Sequence, residues 1–169
     1  MYGIVFRGDS FEFHQRWEQL FACKITPNMH ILLLSPYGGE LRTFLEDLGN
    51  QVRVHSDKIS KQFLIENKFD LIISYGYRYL LTTDILSYSP DAFLNLHISF
   101  LPYNRGADPN LWSILEETTS GVSIHKIDSG IDTGDILLQD KCFFETEELT
   151  FADTYFSLHK SLKDLFKTN

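Results

Sequence analysis

The chain has 169 residues, a mass of 19.6 kDa and a formal net charge of −8. Hydrophobic residues make up 43% and charged residues 22%, which excludes a disordered or fibrous chain, and the length suits one domain with a single sound core. The acidic balance without a basic block argues against a nucleic-acid backbone as partner. Aromatic residues stand at 14%, so the core or a binding surface uses many rings.

The N-terminal stretch carries Arg7 and Asp9 and lacks the apolar run of a leader peptide. The longest apolar run, at 31–34, is far short of a membrane span. Two cysteines, Cys23 and Cys142, make neither a disulfide framework nor a zinc site, and a reduced, cytoplasmic protein is expected.

In chain order, residues 3–6 suit a strand and 14–21 a helix. Residues 30–35 form an apolar run ending in Pro36-Tyr37-Gly38-Gly39, a buried strand and its turn. Leu41, Phe44, Leu45 and Leu48 recur at helical spacing before the stop at Gly49-Asn50. A strand follows at 51–55, then a helix capped by Asp57 that holds Ile59, Phe63 and Leu64. Strands are predicted at 69–74 and 92–97, with a short helix between them capped by Thr82 or Thr83. Pro109 opens a further helix through Glu117, strands follow at 121–127 and 136–139, and residues 151–167 form an amphipathic helix. This alternation predicts an α/β fold, a mostly parallel sheet with helices on both faces, with ligands outside the carboxyl ends of the strands.

The chemistry concentrates between 95 and 135. Asn95 and His97 lie two apart at a strand end, so both fall on one face at the ligand-binding edge. The segment 128–135 holds three Asp and two Gly, and its glycines permit a turn that brings a carboxylate back toward the strand ends. Taken singly, each element also reads as ordinary strand-end polarity or a polar turn. A calcium loop fails because Thr133 stands where that pattern needs Gly and Gln139 where it needs Glu. His97, His125 and Asp128 or Asp132 are metal-ligand types without paired spacing, so no metal is expected. Together, an amide donor, an imidazole and a carboxylate suit acyl transfer to an amine. Asn95 and His97 serve the oxyanion, and Asp132 holds the imidazole and helps remove the amine proton. With no G-x-S-x-G nucleophile elbow, transfer is direct.

The stretch Asn95-Leu-His97-Ile-Ser99-Phe-Leu101-Pro102-Tyr-Asn-Arg105-Gly106-Ala-Asp-Pro109, with Trp112, resembles the signature of the formyl-tetrahydrofolate-dependent formyltransferases. Residues 121–136, Gly-Val-Ser-Ile-His-Lys-Ile-Asp-Ser-Gly-Ile-Asp-Thr-Gly-Asp-Ile, resemble its second half. The resemblance covers about 30–160. It implies a Rossmann-like formyltransferase domain, formyl-tetrahydrofolate as the formyl donor, and Asn95, His97 and Asp132 as the catalytic set. It also implies that Tyr77, Arg78, Tyr79 and Leu80, with Asp128, Gly130 and Asp132, hold the folate.

Residues 99–112 look most like the sugar N-formyltransferases. That branch implies a nucleotide-linked, often dTDP-linked, dideoxy amino sugar for bacterial surface polysaccharide. Tyr103, Asn104, Arg105 and Trp112 are its substrate-binding candidates, although Arg105 alternatively pairs with Asp108 and Trp112 alternatively packs in the core. The expectation is one catalytic domain over 1–169, with 1–28 matching the family poorly and without the usual C-terminal extension. No nucleic-acid or membrane partner is expected, and a homodimer is compatible with the family. A methionyl-tRNA-type or other amine formyltransferase, and a non-catalytic folate or nucleotide-sugar binding module, are the alternatives.

Overall fold

Alternation of apolar residues between two sheet faces sets the architecture. A computed structural model of the chain describes residues 25–144 and 150–168. The elements expected at 3–6 and 14–21 lie outside these. Six strands, β1 (His30–Leu34), β2 (Gln51–His55), β3 (Leu71–Tyr75), β4 (Phe93–His97), β5 (Gly121–Lys126) and β6 (Ile136–Lys141), form one sheet in the order β2-β1-β3-β4-β5-β6. Five helices join or flank them: α1 (Gly39–Asp47), α2 (Lys61–Asn67), α3 (Thr83–Leu86), α4 (Pro109–Leu115) and α5 (Phe151–Thr168).

The first four strands in this order are parallel, whereas β5 runs antiparallel to both β4 and β6. The loop joining β5 to β6 holds no helix, so the chain returns as a hairpin rather than by the crossover a parallel pair requires. The sheet is therefore mixed, and its antiparallel edge carries the second half of the site.

On one face Ile31, Leu33, Leu71, Ile73, Leu94 and Leu96 pack under α1 and α5, whose Leu41, Leu45, Leu158 and Leu162 are fully buried. On the other, Leu32, Leu34, Ile72 and Phe93 meet α2 and α3 through Leu64, Ile85 and Leu86. Each such buried side chain contributes about 1.5–3 kcal/mol. Burial on both faces explains why β1 reads as an unbroken apolar run rather than an alternation.

The helix expected to start at Asp57 starts at Lys61. Ser60 has the extended backbone a cap needs, and its Oγ accepts from the Phe63 amide at 3.2 Å. Ile59 and Leu64 flank that cap, both buried, in the arrangement of a hydrophobic staple. The Asp57 carbonyl accepts instead from the Tyr77 hydroxyl at 2.8 Å, which ties this turn to the loop after β3. The predicted helix at 151–167 is α5, although Phe151 is half-exposed rather than packed in its apolar stripe. Among the described residues, no helix is long and apolar enough to cross a membrane.

Candidate active site

Asn95 and His97 lie on the β4 face opposite Leu94 and Leu96, at the carboxyl edge of the sheet. The antiparallel register sets His125 of β5 directly against Asn95. The loop after β5 then folds back over all three.

Asp132 is the centre of the cluster. Its Oδ1 accepts from Asn95 Nδ2 at 3.0 Å and its Oδ2 from the Gly106 amide at 2.8 Å. His97 Nε2 lies 3.6 Å from Oδ2 and His125 Nε2 3.4 Å from Oδ1. Burial resists ionisation of this carboxyl, but the His125 contact, the nearby His97 and the Gly106 amide outweigh it and bring its pKa down to about 2. The carboxylate is thus ionised at any working pH. Burial holds His97 below the ordinary histidine range, so its ring is neutral in the free site. The Asn104 carbonyl, 3.3 Å from His97 Nε2, makes that nitrogen the protonated one.

The loop reaches this position by a route different from the expected one. The positive φ falls on Asp132 itself, at 50°, not on its glycines. The glycines supply room: a Cβ on Gly130 would lie 2.0 Å from Thr133 Oγ1, and one on Gly134 2.0 Å from the Lys126 carbonyl oxygen. Asp128 pins the turn by accepting from Thr133 Oγ1 at 2.5 Å and from the Gly130 amide at 3.0 Å.

Two cavities meet at the cluster. The smaller, about 250 Å³, lies between the 79–83 segment and the 127–132 loop. The larger, about 560 Å³, extends from His97 past the 75–80 loop to Tyr37 and the start of α5. Asn95 and Asp132 border both. Tyr77, Tyr79 and Leu80 also border both, Asp128 and Gly130 border the smaller, and Arg78 borders the larger alone. Leu80 is 72% exposed, an apolar side chain left open beside both cavities.

The four substrate candidates lie elsewhere. Tyr103, Asn104, Arg105 and Trp112 border neither cavity. Trp112 is half-exposed on α4, so it is not core either, and Arg105 pairs with no carboxylate among the described residues, Asp108 included. Asn104 has a supporting part: its carbonyl faces His97, and its Oδ1 accepts from Thr118 Oγ1 at 2.7 Å.

Several lining residues escape a sequence reading. His125 is one, since the sequence offers it only as a metal-ligand type without paired spacing. It is buried in the cluster, with Nδ1 donating to the Lys126 carbonyl at 2.7 Å and Nε2 facing Asn95 Nδ2 at 3.1 Å. Tyr37, Phe151, Tyr155 and His159 wall the larger cavity, and buried Tyr75 bonds His159 Nδ1 through its hydroxyl at 2.6 Å. Asn110 anchors α5 to the site loop by donating to Thr154 Oγ1 at 3.1 Å. Among the described residues, no group of three or more His, Cys, Asp or Glu is placed to hold a metal ion.

Comparison with known proteins finds formyltransferases. The chain is 47% identical to the formyltransferase PseJ of Anoxybacillus kamchatkensis, with a TM-score of 0.78 over 82% of this chain and 73% of that one. That structure is a complex with UDP-4,6-dideoxy-4-formamido-L-AltNAc and tetrahydrofolate. A 4-N formyltransferase from Francisella tularensis shares the fold at 21% identity, with a TM-score of 0.71 over 83% of this chain and 66% of that one. The methionyl-tRNA formyltransferase of Fusobacterium nucleatum is 34% identical over 124 residues, 70% of this chain but 38% of its own length. The chain thus spans well under half of that relative. The sequence profile described as formyl transferase matches residues 42–166, and the chain belongs to that family.

Proposed function

We propose that the chain transfers a formyl group from formyl-tetrahydrofolate to the amine of a UDP-linked amino-dideoxy sugar. The observation that carries this reading is the placement of Asn95 and Asp132 at the seam of two cavities, one for each substrate. The relative that is 47% identical supports it, because a 4-formamido sugar nucleotide and tetrahydrofolate are the two products of such a transfer. For the same reason UDP takes precedence over the dTDP expected from sequence.

The formyl donor supplies an activated one-carbon carbonyl, and the smaller cavity fits its flat ring between the 79–83 segment and the 127–132 loop. The amine of the sugar enters from the larger cavity and forms the new C–N bond. Asn95 Nδ2 and His97 Nε2 are the hydrogen-bond donors closest to the bond-forming region, and in the free site both face Asp132. As the amine loses its proton, Asp132 is the buried negative charge that stabilises the ammonium and receives or relays that proton. A neutralised Asp132 loosens its hold on the two donors, which are then free for the charge developing on the formyl oxygen. The proton finally leaves with the departing folate nitrogen, so the exchange balances.

The test is incubation of the chain with formyl-tetrahydrofolate and, in turn, a UDP-linked 4-amino-4,6-dideoxy sugar, its dTDP counterpart and methionyl-tRNA. Tetrahydrofolate release and the formamide mass are followed. Turnover on the UDP sugar is expected. Turnover on methionyl-tRNA alone would sink the proposal.

A further inference from the structure

We infer that the carboxyl edge of the sheet reads the nucleotide in strand order, with Arg78 after β3 meeting the diphosphate and Tyr37 after β1 meeting the base. This rests on the nucleotide-sugar reading above and adds to it the residues that grip the part of the substrate remote from the chemistry.

The strand order supplies the spacing. β1, β3 and β4 are parallel neighbours, so their carboxyl ends lie along one edge. Neighbouring strands are about 4.8 Å apart, which sets the loop after β3 roughly 5 Å and the loop after β1 roughly 10 Å from the end of β4. The reacting amine must sit at β4, beside Asn95 and His97. A sugar nucleotide leads from that amine across one pyranose ring to two phosphates, then across a ribose to the base. The order of chemical groups matches the order of loops.

The side chains suit those roles. Arg78 is the sole Lys or Arg among the described residues bordering the two cavities, and it borders only the larger. It is exposed, lies over the Tyr79 ring at 5.7 Å, and pairs with no carboxylate among the described residues. A guanidinium at a cavity wall with no carboxylate paired to it among the described residues suits a phosphate oxygen.

Tyr37 is 56% exposed, yet it is held in place on several sides. Its ring meets Tyr75 and His159 edge-on, each at 6.0 Å, and its hydroxyl lies near that of Tyr155 from α5. It also lies over the bare turn at Gly76, whose φ is +65° and where a Cβ would come within 2.6 Å of the ring. A large ring fixed by its edges, with open area on the wall of a cavity, is a stacking platform. The half-exposed Phe151 borders the same space.

The experiment uses the full chain, with UDP and uridine as competitive probes against the UDP-amino sugar. Tyr37→Ala is expected to raise the inhibition constants of both probes and the KM of the sugar nucleotide by roughly 10- to 100-fold. The KM for formyl-tetrahydrofolate should move by less than about twofold, a change below 0.5 kcal/mol by the same conversion. Tyr37→Phe keeps the ring and should keep uridine inhibition. Arg78→Gln should weaken UDP and leave uridine as it was. Because both side chains are exposed, circular dichroism should show an unchanged fold. Unchanged UDP inhibition in Tyr37→Ala and Arg78→Gln, or a rise confined to the folate KM, would overturn the inference. Failure of the wild type on every nucleotide sugar would instead overturn the function on which it rests, while UDP binding would still report on the two loops.

Discussion

Asn95 and Asp132 stand 37 positions apart and are joined by a 3.0 Å hydrogen bond from the amide nitrogen to Oδ1. The same carboxylate takes the Gly106 amide on its other oxygen and stands 3.6 Å from His97 Nε2. One side chain therefore orients both groups proposed to serve the formyl oxygen. Replacing it with an isosteric amide keeps the shape and removes the charge. Asp132→Asn is expected to lower kcat by about 10²-fold or more, and to lower the thermal midpoint as well, because the ionised carboxylate also stabilises the fold. Single-turnover kinetics with saturating folate would check this, and a near-wild-type rate would contradict it.

His125 acts one step further back. Its Nδ1 donates to the Lys126 carbonyl, and in that tautomer Nε2 is the acceptor for Asn95 Nδ2. This fixes which end of the Asn95 amide faces Asp132. His125→Phe keeps a ring of similar size and removes both contacts. It should lower kcat by about fivefold, the effect of losing one modest hydrogen bond of about 1 kcal/mol, and less than Asn95→Ala does. Rescue of the rate in His125→Gln, which restores an acceptor, would separate orientation from mere packing. Equal losses in Phe and Gln variants would count against it.

The sequence shows why His125 is hard to see. The elements of the parallel half are legible because their apolar periods and turn residues are strong: β1, β3 and β4 fall within two residues of their predicted places. Asn95, His97 and Asp132 are legible from residue type and motif together. His125 gains its place from antiparallel pairing with β4, which local pattern does not specify. The aromatic wall has the same origin, since Tyr37 and Tyr155 meet only when α5 packs back onto the sheet. Trp112 illustrates the opposite error: its helical spacing fits a core position, but its face of α4 is open.

Glycine positions in the loop give a prediction of opposite signs. Gly134 stands two residues after Asp132, and a methyl group there would press into the Lys126 backbone. Backbone cannot swing aside as a side chain does. Gly134→Ala should therefore destabilise the fold by about 1–3 kcal/mol and impair turnover with it, since the loop must shift. Gly39, the first residue of α1, has nothing within 4 Å of the corresponding point. Gly39→Ala should be neutral or stabilising by up to about 1 kcal/mol. Urea unfolding of the two variants decides the matter, and equal midpoints would refute the steric reading.

The pH dependence of stability should divide into two windows. Burial, with Lys163 adding to it, lowers the pKa of His159 from 6.5 to about 4. The unfolded chain binds a proton between those values while the folded one does not, so stability falls as pH drops from about 6.5 to about 4 and then levels for this group. Glu40 behaves differently. The hydrogen bonds from Lys163 and Lys167 hold its carboxyl at about 2, against 4.5 ordinarily, so its contribution persists above 4.5 and is lost as pH falls toward 2. Asp132 is lost in that same lower window, from 3.8 to about 2. His159→Gln should thus reduce the upper slope to the part that buried His97 carries, and Glu40→Gln should reduce only part of the lower one. Because Glu40 is exposed, its part should shrink further in high salt. Unfolding midpoints measured from pH 7 to pH 2 would test the division: an upper slope that His159→Gln leaves undiminished would mean that His159 does not carry it.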